Sequence, residues 1–169
     1  MKPIALIGFM GAGKTTVGRT LAERLNLLFV DLDEQIESVT SKSIPEIFDE
    51  HGEPWFRNKE TEVLKKLVGN TLVVSTGGGI VMTEKNRTLL DNHFRVIWLK
   101  TSLEVILTRL KEDQTRPLWN QKREDREQLF YSRQKIYEQT ADKIVVTDGK
   151  KSDDIADEII SVLQLYKRT

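Results

Sequence analysis

The sequence predicts an α/β fold: one domain built on a parallel sheet with helices on both faces. Two observations carry that prediction. Short apolar runs alternate along the chain with longer amphipathic stretches, the pattern of strands joined by helical crossovers. A glycine-rich loop, Gly8 to Thr15, joins the first apolar run to the first amphipathic stretch, where such a sheet passes from strand to helix. A length of 169 residues suits one domain.

In chain order, Pro3 to Ile7 is expected as a buried strand. Lys14 to Leu25 is expected as a helix, with Val17, Leu21, Ala22 and Leu25 at helical spacing. Leu27 to Val30 is the second strand and Leu32 to Val39 the second helix. Ser43 and Glu46 have capping-box spacing ahead of a short helix, and Glu53 to Val68 forms a longer one. Leu72 to Ser75 is a strand that runs into three glycines, Gly77 to Gly79. Thr83 stands where it would cap a helix through Leu90. Val96 to Leu99 is a strand, and Thr101 with Glu104 suggests a second capping box for a helix to Leu110. Residues Lys111 to Lys122 are polar, contain Pro117 and lack a period, and are expected as an exposed mobile loop. Asp125 to Thr140 is helical, Lys143 to Val146 a strand, and Asp153 to Tyr166 a closing helix. Right-handed crossovers make such a sheet parallel, and ligands bind at the carboxyl ends of its strands. The residues just after each strand therefore carry the functional reading.

Composition excludes several classes. The 26 basic and 26 acidic side chains cancel, which leaves no electrostatic footprint for nucleic acid or an anionic membrane. Any anion site must come from a few convergent groups. There are no cysteines, hence no disulfide and no thiolate metal site, and a cytoplasmic location is expected. The apolar run Ile4 to Met10 is interrupted by Gly8 and too short to span a bilayer; only Lys2 precedes it among charged residues and no small-residue cleavage site follows, so no signal peptide is expected. No apolar heptad pattern points to an oligomer, and a monomer is expected. His51, His93, Lys65-Lys66 and Lys150-Lys151 suggest no site of their own.

The loop Gly8-Phe9-Met10-Gly11-Ala12-Gly13-Lys14-Thr15 matches G-x-x-x-x-G-K-[ST] between a strand and a helix. Glycines allow successive N–H groups to turn inward as an anion nest, and the helix that follows adds free N–H groups and a positive dipole end. Lys14 has the reach for the β- and γ-phosphates, and the Thr15 hydroxyl suits Mg²⁺. This is a nucleotide-binding signature.

Asp31 and Asp33 follow the second strand. In extended chain, residues two apart point to the same side. One carboxylate would then hold the metal's water shell and the other accept or orient the proton of an attacking hydroxyl; an N-cap role is the alternative. Arg57 and Glu60 are three apart on the Glu53–Val68 helix. They form either a surface ion pair or a guanidinium oriented by Glu60 toward a substrate carboxylate. Gly77 to Gly79 either admit a ligand close to the backbone or form a plain turn. Arg116, beside Pro117, lies in the irregular loop, which could close over the site and bring in a charge-neutralising arginine. Arg133 and Tyr137 share a helix face, and position alone does not separate Arg133 from Arg123 or Arg126. Phe48, Trp55 and Phe56 belong either to an apolar substrate wall or to the core.

Together these marks resemble the shikimate kinase family. The resemblance covers nearly the whole chain and rests on Gly8 to Thr16 with Gly18-Arg19, Asp31-x-Asp33, Phe56-Arg57-x-x-Glu60, Ser75-Thr76 with Gly77 to Gly79, Arg116-Pro117-Leu118, and Arg133-x-x-x-Tyr137-x-x-x-Ala141-Asp142. It implies a P-loop, three-layer α/β/α fold like that of nucleoside monophosphate kinases, with a five-stranded parallel sheet in the order 2-3-1-4-5. A lid would span about 111–123 and a helical acceptor-binding segment about 32–61. It implies one Mg²⁺ per subunit, ATP as co-substrate, and phosphorylation of the 3-hydroxyl of shikimate. Gly11, Ala12, Gly13, Lys14, Thr15, Thr16, Arg109 and Arg116 would bind ATP, with Arg109 near the adenine. Thr15 and Asp31 would serve the metal. Asp33 would be the base, assisted in catalysis by Lys14 and Arg116. Arg57, Arg133, Gly78 and Gly79 would bind shikimate along with Asp33. Two positions depart from the family: Trp119 stands where a Leu is usual and Lys135 where a Pro is common. Neither removes a group the chemistry needs. The rival readings are another small-molecule kinase, for gluconate or a nucleotide, and an inert ATP-binding regulator.

Overall fold

The structure, a computed structural model, describes residues 1–111 and 122–164. Five strands form one sheet: β1 (Ile4–Ile7), β2 (Leu28–Asp31), β3 (Leu72–Ser75), β4 (Arg95–Lys100) and β5 (Lys143–Val146). All neighbours are parallel, in the order β2-β3-β1-β4-β5, the order the resemblance implies. The central strand shows why the sheet is covered twice. Ile4 and Leu6 face one apolar cluster and Ala5 and Ile7 the other, all fully buried, as side-chain alternation requires.

Helices α1 (Lys14–Leu25) and α7 (Ser152–Val162) cover the first face. The second is covered by α2 (Leu32–Thr40), α3 (Ile44–Leu67), α4 (Glu84–His93), α5 (Leu103–Leu110) and α6 (Arg123–Thr140). The two helices expected between Ser43 and Val68 are the halves of α3, which breaks at Gly52 with φ 79° and ψ 171°. The Ser43–Glu46 capping box is formed: the Glu46 N–H donates to Ser43 Oγ at 3.3 Å, and the Ser43 N–H to the Glu46 carboxylate at 2.7 Å.

Several expectations fail locally. Thr101 does not cap α5. Ser102 does, accepting from the Val105 N–H, while Thr101 is buried against the Thr147 hydroxyl. Thr83 precedes α4 without a side-chain cap bond. The closing helix stops at Val162, because Gln164 turns into the left-handed region with φ 54°. A 3₁₀ turn over Ile80–Met82, which the apolar pattern did not suggest, follows the glycine run. Helix α6 begins two residues before Asp125 and runs regularly through Lys135. Arg116, Trp119 and most of the expected lid lie outside the described residues.

Candidate active site

The carboxyl ends of β1, β2 and β3 open on one cleft of about 590 Å³. Its floor is the phosphate loop. Phe9, Met10 and Ala12 turn into the core, which anchors the loop from below. Gly11 and Gly13 hold φ 80° and 90°, the left-handed conformation that turns backbone N–H groups to a common side. No side chain caps the first turn of α1, so its N-terminal N–H groups belong to the cleft. The Lys14 ammonium donates to the carbonyls of Gly8 at 2.6 Å and Phe9 at 3.0 Å, tying the loop to its own start. Thr16 lines the cleft, and Arg109, in the last turn of α5, reaches over the loop to donate to the Gly11 carbonyl at 3.0 Å.

Beside the loop, three oxygens converge. The Thr15 hydroxyl donates to Asp31 at 2.8 Å and lies 3.4 Å from the Ser75 hydroxyl. The register explains it, since Asp31 and Ser75 are paired ends of β2 and β3. Asp31 also caps α2, accepting from the N–H groups of Asp33 at 3.0 Å and Glu34 at 3.2 Å. The cap and the site are thus the same carboxylate. The same-side reading of the pair fails: Asp31 ends a strand, whereas Asp33 sits in the first turn of α2 and points toward the other end of the cleft. These hard oxygen donors fit Mg²⁺, which takes few protein ligands and completes its shell with water and phosphate oxygens. No group of three His, Asp or Glu that could hold a metal alone occurs among the described residues.

The far end is organised by the glycine run. A Cβ at Gly77 would stand 3.1 Å from Asp33 Oδ1 and 3.2 Å from Glu60 Oε2. One at Gly78 would stand 3.3 Å from the Met10 nitrogen and 3.4 Å from Arg133 Nη1, and one at Gly79 only 2.2 Å from Arg57 Nη2. Three consecutive residues without side chains thus let an acid pair, the phosphate loop and two arginines meet.

The Arg57–Glu60 pair is no surface bridge. Glu60 is 0% exposed and accepts from Arg57 Nη1 at 2.7 Å, while Glu53 takes Nε and Nη2 at 3.3 and 3.1 Å. Burial pushes the Glu60 carboxyl up to about 7; Arg57 pulls against that rise and nearby Asp33 adds to it. For Arg57, burial alone would lower the pKa, but Glu60 and Glu53 outweigh it and the guanidinium is held above its ordinary value. Arg133 is 3% exposed, with its guanidinium 5.8 Å over the Phe9 ring. Its Nε and Nη1 are buried with no hydrogen-bond partner among the described residues. Structure separates it from Arg123, which is exposed and paired with Glu127. Phe48 and Phe56 line the cleft as a pair 4.8 Å apart, whereas Trp55 stacks on His51 away from it.

The cleft therefore holds every predicted site residue among those described except Ala12, whose side chain is core. Sequence reasoning gave no role to the Ser75 hydroxyl or to Tyr137, whose hydroxyl donates to the Gly78 carbonyl. Both act through partners distant in sequence, for which spacing offers no signal.

A strand–loop–helix anion cradle at the head of a 2-3-1-4-5 parallel sheet defines a P-loop phosphotransferase of the nucleoside monophosphate kinase-like fold. The comparisons narrow the class. A family profile described as "Shikimate kinase" matches residues 10–164. A shikimate kinase of Persephonella marina is 44% identical over 161 residues, 95% of this chain and 98% of its own; one from Enterococcus faecalis is 43% identical over 97% and 99% of the two chains. The solved structure of the Acinetobacter baumannii shikimate kinase in complex with shikimate superposes with a TM-score of 0.93 at 37% identity, covering 100% of this chain and 96% of that one. This chain belongs to the shikimate kinase family. It is a kinase with ATP as co-substrate. No helix among the described residues is long and apolar enough to cross a membrane.

Proposed function

We propose that this enzyme transfers the γ-phosphoryl group of ATP to the 3-hydroxyl of shikimate. One observation favours a carboxylate-bearing acceptor over a nucleotide: Arg133 keeps two buried nitrogens without a hydrogen-bond partner among the described residues, at the same glycine run that Arg57 packs on, and the family match supports shikimate among such acids. A buried, incompletely paired guanidinium calls for an anion, and two guanidiniums around one small polar space suit a carboxylate. A nucleobase acceptor would need no such pair.

Phosphoryl transfer asks the protein for alignment and charge, with little covalent work. Backbone N–H groups from Gly11 to Thr16, with Lys14, hold the phosphates. Arg109 sits against the base side of the nucleotide. Thr15 and Asp31 would hold one Mg²⁺ per subunit, which would neutralise phosphate charge. Arg57 and Arg133 take the acceptor's carboxylate, and Gly78 and Gly79 receive its ring edge closely. Asp33 orients the acceptor hydroxyl and takes its proton. Arg116 joins Lys14 at the transferring group by its motif, as part of a lid over about 111–123, with 32–61 as the acceptor-binding segment of a monomeric single domain.

ADP release with Mg-ATP and a panel of shikimate, quinate, gluconate and nucleoside monophosphates tests the acceptor. Turnover with shikimate alone is expected, and turnover with gluconate or a nucleotide overturns the reading. Asp33→Asn is expected to lower kcat by roughly 100-fold or more with ATP affinity retained; unchanged kcat removes Asp33 as base.

A further inference from the structure

The glycine run contains a tight turn whose central peptide is held from outside. The Ile80 N–H donates to the Gly77 carbonyl at 3.1 Å, which closes a β-turn with Gly78 and Gly79 in the middle. Gly79 has φ −96° and ψ 7°, the third-position values of a type I turn. Types I and II share the same closing bond and differ by a flip of the central peptide, the one between Gly78 and Gly79. Type II needs positive φ at the third position, and glycine there removes the usual barrier. Neither central residue has a side chain to favour one form.

Tyr137 supplies that choice. It lies one turn beyond Arg133 on α6, is 0% exposed, and packs its ring 5.8 Å from that of Trp98. Its hydroxyl donates to the Gly78 carbonyl at 2.5 Å. Phenylalanine would fill the same space, so the hydroxyl's contribution is polar: that bond, together with an interaction with the neighbouring Arg133 guanidinium, and a buried hydroxyl is costly unless bonded. Burial pushes its pKa up to about 12 against the pull of Arg133, and the hydroxyl is protonated at neutral pH. Among the described residues there is no cis peptide. Across a trans peptide the carbonyl of Gly78 and the N–H of Gly79 point in opposite directions. The carbonyl points to Tyr137, which is in the core and not in the cleft wall, whereas Gly79 lines the cleft. The Gly79 N–H thus faces the cleft, where no acceptor from the described residues takes it.

The geometry points to Tyr137 as a positioning residue: its hydroxyl locks the Gly77–Ile80 turn in the form that offers the Gly79 N–H to the acceptor substrate. This rests on the reading of that end of the cleft as the acceptor site. In this role Tyr137 is no substrate ligand and acts through the peptide; the Gly79 amide signal separates that route from its contact with Arg133.

The test is Tyr137→Phe, which keeps the ring and its packing. The expected result is a rise in shikimate KM of roughly fivefold or more, the worth of about one hydrogen bond, with the KM for Mg-ATP within twofold and a cooperative melt retained. In ¹⁵N-glycine-labelled protein, the Gly79 amide signal should shift on adding shikimate to the wild type and shift less in the variant. A lower melting temperature with shikimate KM unchanged would reduce Tyr137 to a packing residue and overturn the proposal, as would proportionate changes in both KM values. Arg57→Ala, measured alongside, separates the two ideas. If it raises shikimate KM while Tyr137→Phe does not, the positioning role alone fails. If neither changes it, the acceptor site itself has been misread and both fail.

Discussion

Gly79→Ala tests the proposed carboxylate clamp with one methyl group. The backbone at Gly79 has φ −96° and ψ 7°, which alanine adopts without strain. The added Cβ would fall 2.2 Å from Arg57 Nη2, 2.6 Å from Cζ and 2.7 Å from Nη1. Ordinary contact is about 3.5 Å, so the guanidinium must retreat by roughly 1 Å. It lies at the end of a flexible side chain and can do so, and the cost therefore falls on its hydrogen bonds more than on the fold. The bond to Glu60 at 2.7 Å and the one from Nη2 to Glu53 at 3.1 Å are both disturbed. A hydrogen bond to a charged group is worth about 1.5–3 kcal/mol, equivalent to roughly a 10- to 150-fold loss of affinity for the carboxylate that Arg57 is proposed to hold. Initial rates against shikimate at saturating Mg-ATP, and against ATP at saturating shikimate, measure it. We expect shikimate KM to rise at least about tenfold, with ATP KM within twofold and only a small change in melting temperature. Unchanged shikimate KM would refute the clamp. Equal changes in both KM values would mean that the methyl group disorders the phosphate loop.

Two further tests follow from the same geometry. Asp31→Asn keeps an equally good N-cap for α2 but removes the charge beside Thr15; stability should hold while the Mg²⁺ concentration for half-maximal rate rises roughly tenfold, and an unchanged Mg²⁺ titration would remove Asp31 from the metal. Glu60 makes stability depend on pH. Its carboxyl rises from 4.5 to about 7 on folding, so between those values the folded protein keeps a proton that the unfolded chain has released. The contribution is fully present below pH 4.5 and is lost as pH rises through 7, by at most about 3 kcal/mol. Urea unfolding at pH 5 and pH 8 should show a larger loss in the wild type than in Glu60→Gln; the same loss in both would show that Glu60 does not titrate there.

What the sequence alone determined is what contiguous residues decide. The phosphate loop is legible because an anion nest and a helix start are made by neighbours in the chain. The same holds for the Ser43–Glu46 box and for the strand Leu72–Ser75, whose bounds match the structure. The parallel sheet was legible because strand and helix periods alternate, and its order came through the family resemblance. Tertiary structure decided the rest. Helical spacing put Arg57 and Glu60 on one face but could not tell that the face is buried against Gly79. Thr101 and Ser102 are equally plausible caps on paper, and the cross-sheet Thr147 hydroxyl takes the first. The Ser75 hydroxyl near Thr15 and the Tyr137 bond to Gly78 join residues 60 and 59 positions apart. Such pairings depend on strand register and on how α6 packs over β4. Those are set by the burial of the whole core, and no local pattern encodes them.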